Sequence, residues 1–357
     1  MKVYFYHTQD IQRILREWKQ GIFPGHLLYG ATHLDRHGID IISHQSGRHP
    51  ESRWRTTLQT TLQTLKHYRE YDAVYATSFR GLELIIFLRA LGLFRKPIIL
   101  WHHQAITTAK HPLRERMARI FYRGIDQMFF FSEKLFHDSL KSPKARRERM
   151  QVAPWGADLD FYNRLMDEEG TPVRKEYIST GKEHRDMPTL VSAFERTKSP
   201  LCIYLSHNHG GENYDSIMSG IHIPNHVKVN FVKGLIPREL AQKVWQAKCV
   251  VICCKQTDYT VGLTTLVEAL ALGIPVICSR NPHFAFDIDA EGVGITVPYY
   301  DVEGWERAIR YIDTHPQEAA TMGQKARQLA EQTFNLERCA EEVAKVILNY
   351  SPKNKSL

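Results

Sequence analysis

The sequence lacks several features that would define its class at once. No apolar run approaches the roughly 18 to 20 residues that span a bilayer, and the first residues, MKVYFYHTQD, turn polar too soon for a signal peptide. There is no C-x-x-C pair, no Cys/His spacing typical of a metal site, and no repeat or low-complexity segment. These absences argue against a membrane-spanning, secreted or solenoid protein. We expect a cytoplasmic protein without a structural zinc site, and we expect no cofactor.

Positive charge is concentrated in the first half of the 357-residue chain, whose net charge is +8. Residues 1–165 carry 26 Lys and Arg against 15 Asp and Glu, whereas residues 166–357 carry 21 against 24. Such a basic half indicates an anionic partner, for example membrane lipid or a phosphorylated ligand, and solubility alone is the alternative. Nucleic acid is not expected, because no recognition module or set of interleaved aromatics accompanies the basic segments.

Short apolar runs such as PIILWHH and CVVICC alternate along the whole chain with predicted helices such as HLLYGATHLDRHG (26–38) and VEGWERAIRYIDT (302–314). The runs are continuous rather than alternating, which is typical of parallel strands covered on both faces. The pattern predicts an α/β protein with two doubly wound, Rossmann-like parallel sheets that face a central cleft. The expected domains are 1–168 and 169–335, and a C-terminal helix in 336–357 is expected to cross back to the first domain.

The stretch TVGLTTLVEALALGIP follows the strand CVVICC and opens a helix. Its first residues leave backbone N–H groups free at the helix start and form a candidate phosphate cradle: Gly262, Leu263, Thr264 and Thr265. Glu268 lies one turn after Thr264 and off the apolar face of this helix. Its carboxylate could accept hydrogen bonds from the two hydroxyls of a ribose, and a solvated helix glutamate is the alternative.

This stretch, continued as GLTTLVEALALGIPVICSRN, resembles the donor-site motif of retaining glycosyltransferases with the GT-B fold, of the glycosyltransferase family 4 type. The resemblance covers roughly residues 150–345, including VAPWGADLDFY and the closing helices. It implies a metal-independent hexosyltransferase that uses a nucleoside-diphosphate sugar, with UDP-sugar as the expected donor. The first domain would bind the acceptor, a hydroxyl of a membrane lipid, a lipid-linked saccharide or a glycan. The second domain would bind the nucleotide sugar.

The resemblance also implies individual roles. Glu268 matches the second of two family glutamates and would hold the ribose, while Gly234 and Leu235 would lie by the base. Eight residues before Glu268, where the family has its first glutamate, this chain has Thr260. Asp258 is the candidate replacement that would contact the donor sugar, and an aspartate that stabilises a turn is the alternative.

A second group of candidates lies in STGKEHRD and WHHQ. Gly181 ends a strand, and the resemblance directs the cations Lys182 and Arg185 at the leaving diphosphate; two surface cations are the alternative. His102 and His103 end a strand of the first domain, where the family often has a histidine that touches donor sugar and acceptor. Alternation along the strand sends only one of the two toward the cleft, and the sequence leaves open which.

Two basic segments, 113–123 and 141–149, are expected to meet an anionic membrane surface. They would make the protein peripheral on the inner face of the cytoplasmic membrane. The alternative is that the apolar arc of 113–123, which holds Leu113, Met117, Ile120 and Phe121, packs on the sheet as in any doubly wound domain.

Two other functions share this architecture. A nucleotide-sugar 2-epimerase would release UDP and an altered sugar without an acceptor. A catalytically inactive GT-B binding subunit is suggested by the missing first glutamate.

Overall fold

The structure is a computed structural model that describes residues 1–45, 52–234 and 236–351. Contacts divide the chain into two compact units. Unit 1 comprises Met1–Trp155 and Leu336–Leu357, and unit 2 comprises Gly156–Asn335.

Unit 1 contains a six-stranded parallel sheet in the order β2-β1-β3-β4-β5-β6. The strands are β1 (Lys2–Tyr6), β2 (Asp40–Ser43), β3 (Ala73–Ala76), β4 (Ile98–Trp101), β5 (Gln127–Phe130) and β6 (Met150–Val152). The helices are α1 (Ile11–Lys19), α2 (Arg53–Lys66), α3 (Glu83–Ala90), α4 (Pro112–Arg123) and α5 (Glu133–Leu140). Short 3₁₀ helices span Gly25–Leu28, Ala31–His37 and Arg147–Arg149.

Unit 2 contains a second six-stranded parallel sheet, in the order β11-β8-β7-β12-β13-β14. The strands are β7 (Tyr177–Ser179), β8 (Leu201–Leu205), β11 (Val227–Phe231), β12 (Cys249–Ile252), β13 (Val276–Ser279) and β14 (Gly294–Val297), and a small antiparallel ribbon joins β9 (Asn208–His209) to β10 (Glu212–Asn213). The helices are α6 (Leu159–Glu169), α7 (Met187–Thr197), α8 (Tyr214–Ser219), α9 (Pro237–Trp245), α10 (Leu263–Ala271), α11 (Ile288–Glu291), α12 (Val302–Thr314) and α13 (Pro316–Gln332).

The predicted α/β class with two doubly wound parallel sheets is confirmed. Every residue of β3, β4, β5, β12 and β13 is buried, as continuous apolar runs predict for strands covered on both faces. All six cysteines are free thiols, and all but the half-buried Cys202 are buried. They serve as small core residues.

The last helix, α14 (Leu336–Leu348), belongs to unit 1. It packs on the 3₁₀ helix Ala31–His37, and a Cβ on Gly30 would lie 3.0 Å from the Cα of Ala340. The first boundary between the units lies after Trp155, ahead of the expected one at 168. Helix α6 accounts for the difference, because it packs on α9 of unit 2.

One local expectation was wrong, and one of the alternatives is only partly met. The stretch 26–38 was expected to be one helix, but it forms two 3₁₀ helices, because Tyr29 and Gly30 adopt φ of 54° and 84° between them. In α4, the apolar arc does not pack fully on the sheet: Leu113 and Met117 are 62% and 45% exposed. In the described part of the chain, no helix is long and apolar enough to cross a membrane.

Candidate active site

The sheet of unit 2 has a topological switch point between β7 and β12. After β7 the chain winds toward β8 and β11, whereas after β12 it winds the other way, toward β13 and β14. Doubly wound sheets bind ligands at the carboxyl ends of strands at such a point, because the diverging loops leave a crevice. Two loops lie there, 180–186 after β7 and 253–262 after β12.

Gly181 opens the first loop with a φ of +110°, a conformation that side chains strongly disfavour. A Cβ at this position would lie 1.9 Å from Nη2 of Arg185. Glycine is therefore required both by the backbone conformation and by the guanidinium packed against it.

Arg185 is 3% exposed and holds the loop in place. Its five N–H groups all donate within unit 2: Nε and Nη2 to Thr180 O (3.1 and 3.0 Å), Nη1 to Glu183 O (3.1 Å) and Cys254 Sγ (3.1 Å), and Nη2 to Thr265 Oγ1 (3.2 Å). The guanidinium thus joins the β7 loop, the end of β12 and the start of α10. In this arrangement Arg185 can offer a ligand positive charge, but every N–H donor is engaged by the protein.

Lys182 lies next to Gly234, so two predicted site residues meet. Its ammonium donates to the Gly234 carbonyl at 3.0 Å. Partial burial lowers the pKa of Lys182, since desolvation disfavours the charged form. An anion bound beside Lys182 would offset this effect. Leu235, predicted with Gly234, lies outside the described residues.

Gly262 is the N-cap of α10 and has a φ of +91°. A Cβ there would lie 2.6 Å from Cγ2 of Ile252, so the helix start can approach the end of β12 only without a side chain. No side chain caps the helix at this end, which leaves its N-terminus open to a ligand.

The first amides of α10 differ in their availability. That of Leu263 donates to Thr260 O at 3.2 Å. Within the described residues, the amides of Thr264 and Thr265 find no acceptor. Two open N–H groups and the positive end of the helix dipole therefore point out of the α10 start, and both favour a phosphate.

Glu268 lies one turn after Thr264 on α10 and is half-buried. Burial raises its pKa from 4.5 to about 7, and a hydrogen bond from the hydroxyl of Tyr162 partly opposes the rise. Tyr162 is a buried residue of α6. Hydrogen bonds from two hydroxyl groups would favour the charged form of such a carboxylate, and the ribose role of Glu268 stays a prediction.

The loop 253–262, which would carry the first family glutamate, is held by hydrogen bonds and an ion pair. The Tyr259 hydroxyl donates to Glu183 at 2.7 Å, Asn281 donates to the Tyr259 carbonyl, and Lys255 pairs with Glu212. Asp258 is exposed at this loop, so its carboxylate is accessible. Contact of Asp258 with a sugar stays a prediction.

In unit 1, His102 and His103 have different surroundings. His102 is buried: Nδ1–H donates to Gln104 O, and Nε2 accepts from the Tyr122 hydroxyl at 2.9 Å. Burial lowers the pKa of His102 to about 4. His103 is half-exposed, and its Nε2–H donates to Thr77 O at 2.8 Å. His103 is therefore the histidine of the pair with accessible ring surface.

His7, which the sequence analysis missed, lies close to His103. Burial and the neighbouring His103 lower the pKa of His7 to about 4. His7 follows β1, and Thr77 follows β3, the two strands at the switch point of the unit 1 sheet. The position of His7 directly after the strand KVYFY was the available signal. For Tyr162 no signal existed, because its contact with Glu268 depends on the packing of α6.

No group of three or more His, Cys, Asp or Glu that could hold a metal ion occurs in the ranges that the structure describes. The candidate site of unit 2 instead brings together a lysine, a buried guanidinium, a helix start and a glutamate. This set of groups is suited to a ligand that carries both a phosphate and hydroxyls.

Comparisons with known proteins bear on the fold and on the class of the protein. Residues 190–345 match a family model described as glycosyl transferase-like. The D-rhamnosyltransferase WbpZ of Pseudomonas aeruginosa is 22% identical, over 94% of this chain and 92% of that protein.

Solved structures with the same fold cover nearly the whole chain. Anabaena HepE in complex with UDP and glucose has a TM-score of 0.68 at 15% identity, over 98% of this chain and 100% of that one. Sucrose-phosphate synthase of Thermosynechococcus elongatus has a TM-score of 0.71 at 15% identity, over 98% of both chains. The fold is GT-B, and together with the family match it supports a glycosyltransferase of the GT-B type.

Proposed function

We propose that the protein is a retaining, metal-independent hexosyltransferase of the family 4 type. It would move a sugar from a nucleoside-diphosphate donor, a UDP-sugar, to a hydroxyl of a membrane lipid, a lipid-linked saccharide or a glycan. Unit 2 would bind the donor and unit 1 the acceptor.

One observation carries the proposal. Next to the Gly181 loop, the open amides of Thr264 and Thr265 point out of the start of α10, and the Glu268 carboxylate lies one helical turn further on. A helix rises about 5.4 Å per turn, a spacing suited to a phosphate on the amides and a ribose on Glu268.

The leaving diphosphate determines the chemistry. When the bond from the sugar to its phosphate breaks, negative charge grows on the diphosphate. Lys182, the buried charge of Arg185 and the α10 amides would stabilise that charge without a metal ion. Retention without an enzymatic nucleophile would proceed by attack from the side of the leaving group, whose phosphate takes the acceptor proton. The family resemblance implies that Asp258 and one histidine would contact the sugar, and His103 is the candidate histidine because His102 is buried.

The known relatives guide the choice of donor. HepE has been solved with UDP-glucose, and a trehalose-phosphate synthase of the same fold is UDP-forming. The Pseudomonas relative is a D-rhamnosyltransferase, so a 6-deoxyhexose belongs among the candidate sugars.

Isothermal titration and product analysis test the proposal. We expect UDP to bind, and we expect one UDP-sugar of a panel to be consumed when lipid and saccharide acceptors are present, with a glycosylated product detected by mass spectrometry. An altered free sugar without any acceptor product would instead indicate a 2-epimerase. Binding without turnover of any donor would indicate an inactive subunit.

A further inference from the structure

Helix α2 exposes its large apolar side chains. Trp54, Leu58, Leu62 and Leu65 are 68%, 42%, 59% and 43% exposed. At positions i, i+4, i+8 and i+11 they form one narrow stripe along the helix. The residues of α2 that are buried are threonines: Thr57, Thr60, Thr61 and Thr64. The helix therefore turns its apolar stripe outward and its hydroxyl groups inward.

Hydrogen bonds explain how threonines can occupy the inner face. The hydroxyl groups of Thr57, Thr61 and Thr64 each donate to the carbonyl one turn earlier, at 3.0, 2.7 and 2.7 Å. Glu83 Oε2 also lies 3.0 Å from the Thr57 hydroxyl, so the carbonyl and the carboxylate share its one hydrogen. Because these buried polar groups are satisfied, this face is stable in the interior, and the helix has no need to rotate its leucines inward.

The apolar surface extends past the C-terminal end of α2 to the loop that follows α3. Leu65 and Leu93 line one depression together with three cations, Lys66, Arg69 and Arg95, and one acid, Glu70, and Leu93 is 73% exposed. Exposed apolar residues that adjoin in this way indicate an interaction surface rather than scattered surface hydrophobics.

Cations flank the stripe. Arg55, Lys66 and Arg69 are exposed, and residues 52–69 contain no Asp or Glu. If a second copy of the chain met this surface face to face, like charges would be brought together. An anionic lipid surface offers both an apolar layer and complementary charge.

We infer that the α2 surface, defined as Trp54, Leu58, Leu62 and Leu65 with Arg55, Lys66 and Arg69, docks on an anionic bilayer. The apolar stripe enters the boundary between headgroups and acyl chains, and the cations contact the lipid phosphates. This surface is separate from segment 141–149, where Lys144 is buried against Glu115. The membrane contact extends the proposed function of unit 1 and does not depend on the donor site of unit 2.

Flotation with vesicles tests the inference. Full-length protein should float with phosphatidylcholine vesicles that contain about 30 mol% phosphatidylglycerol, and much less with phosphatidylcholine alone. The stripe variant, Trp54→Ser/Leu58→Ser/Leu62→Ser, should bind these vesicles about tenfold more weakly or worse. Ile22→Ser and Val173→Ser, which change residues 44% and 62% exposed elsewhere, should float like wild type. The variant Arg55→Glu/Lys66→Glu/Arg69→Glu should lose the preference for phosphatidylglycerol.

Trp54 provides a second readout that does not depend on flotation. It is the exposed tryptophan of the chain, whereas Trp101, Trp155 and Trp305 are buried and Trp18 and Trp245 are half-buried. Brominated lipids should therefore quench wild-type fluorescence, and the quenching should disappear in Trp54→Phe.

Several results would overturn the inference. The first is that wild type floats with neither vesicle, and the second is that the stripe variant floats as well as wild type. The third is that wild type binds no lipid but forms dimers without vesicles, and the stripe variant loses those dimers. A UDP titration of the stripe variant separates this inference from the proposed function. Normal UDP binding without flotation refutes only the membrane contact, and normal flotation without UDP binding refutes only the donor site.

Discussion

Replacing Glu268 with glutamine should make the unliganded protein more stable and its UDP complex weaker. The carboxylate is half-buried, and its pKa is raised to about 7 mainly because burial disfavours its charged form. Glutamine has the same shape without the charge, and its amide oxygen can still accept from Tyr162. The substitution therefore removes the desolvation cost and keeps the packing.

The magnitude follows from the pKa. A rise from 4.5 to about 7 means that the folded state disfavours the Glu268 carboxylate by at most about 3 kcal/mol. Between these two pH values the folded protein keeps a proton that the unfolded chain has released. The free energy of unfolding should therefore fall as pH rises through this window, and the loss should be complete above about pH 7.

Urea unfolding of wild type and Glu268→Gln across this pH range is the assay. Their difference in unfolding free energy should be near zero at about pH 4.5 and should approach, without exceeding, about 3 kcal/mol in favour of the variant at about pH 8. Glu239→Gln, which changes an exposed glutamate of α9, should follow wild type throughout. A Glu268→Gln variant that is less stable than wild type at about pH 8 would refute the reasoning.

The same variant should bind UDP more weakly. Glutamine can accept from the ribose but carries no charge, and hydrogen bonds to a charged group contribute about 1.5 to 3 kcal/mol. Titration calorimetry should therefore show an affinity lowered about ten- to hundredfold. An unchanged affinity would mean that Glu268 does not hold the ribose.

Three further substitutions test the site. Tyr162→Phe removes the donor that lowers the pKa of Glu268, so the midpoint at which UDP affinity rises with pH should move to higher pH; an unmoved midpoint argues against this contact. Gly181→Ala places a Cβ 1.9 Å from Nη2 of Arg185 at a φ of +110°, so it should destabilise the protein by about 2 kcal/mol or more and abolish UDP binding; wild-type unfolding in urea would contradict this. Lys182→Met should weaken UDP about tenfold and leave uridine affinity unchanged, and an equal loss for both ligands would show that Lys182 does not contact the diphosphate.

The sequence predicted those parts of the fold that depend on local pattern. Continuous apolar runs identified the buried strands, and the stretch VEGWERAIRYIDT coincides with α12 from Val302 to Thr314. The prediction of one helix over 26–38 was wrong because the left-handed conformations of Tyr29 and Gly30 interrupt it. A periodic pattern of apolar residues does not reveal such conformations.

The motifs predicted which residues lie at the switch point of unit 2, and the roles of these residues toward a ligand stay predictions. Gly181, Lys182, Gly262 and Glu268 lie at the switch point of unit 2. The engagement of every Arg185 donor, and the contact of Tyr162 with Glu268, were not predictable, because each depends on segments far apart in the sequence. The outward stripe of α2 was missed for a related reason. A helical pattern shows that a helix has an apolar and a polar face, and the apolar face is normally the buried one. In α2 the buried face is formed by threonines whose hydroxyl groups are hydrogen-bonded.

Titration calorimetry with UDP tests the central claim most directly, namely that unit 2 binds a nucleoside diphosphate between the Gly181 loop and the start of α10. We predict that UDP binds wild type and Glu239→Gln alike and binds Glu268→Gln and Lys182→Met more weakly. Absence of binding by wild type at about millimolar UDP and GDP, a range that covers most substrate affinities, would contradict the account.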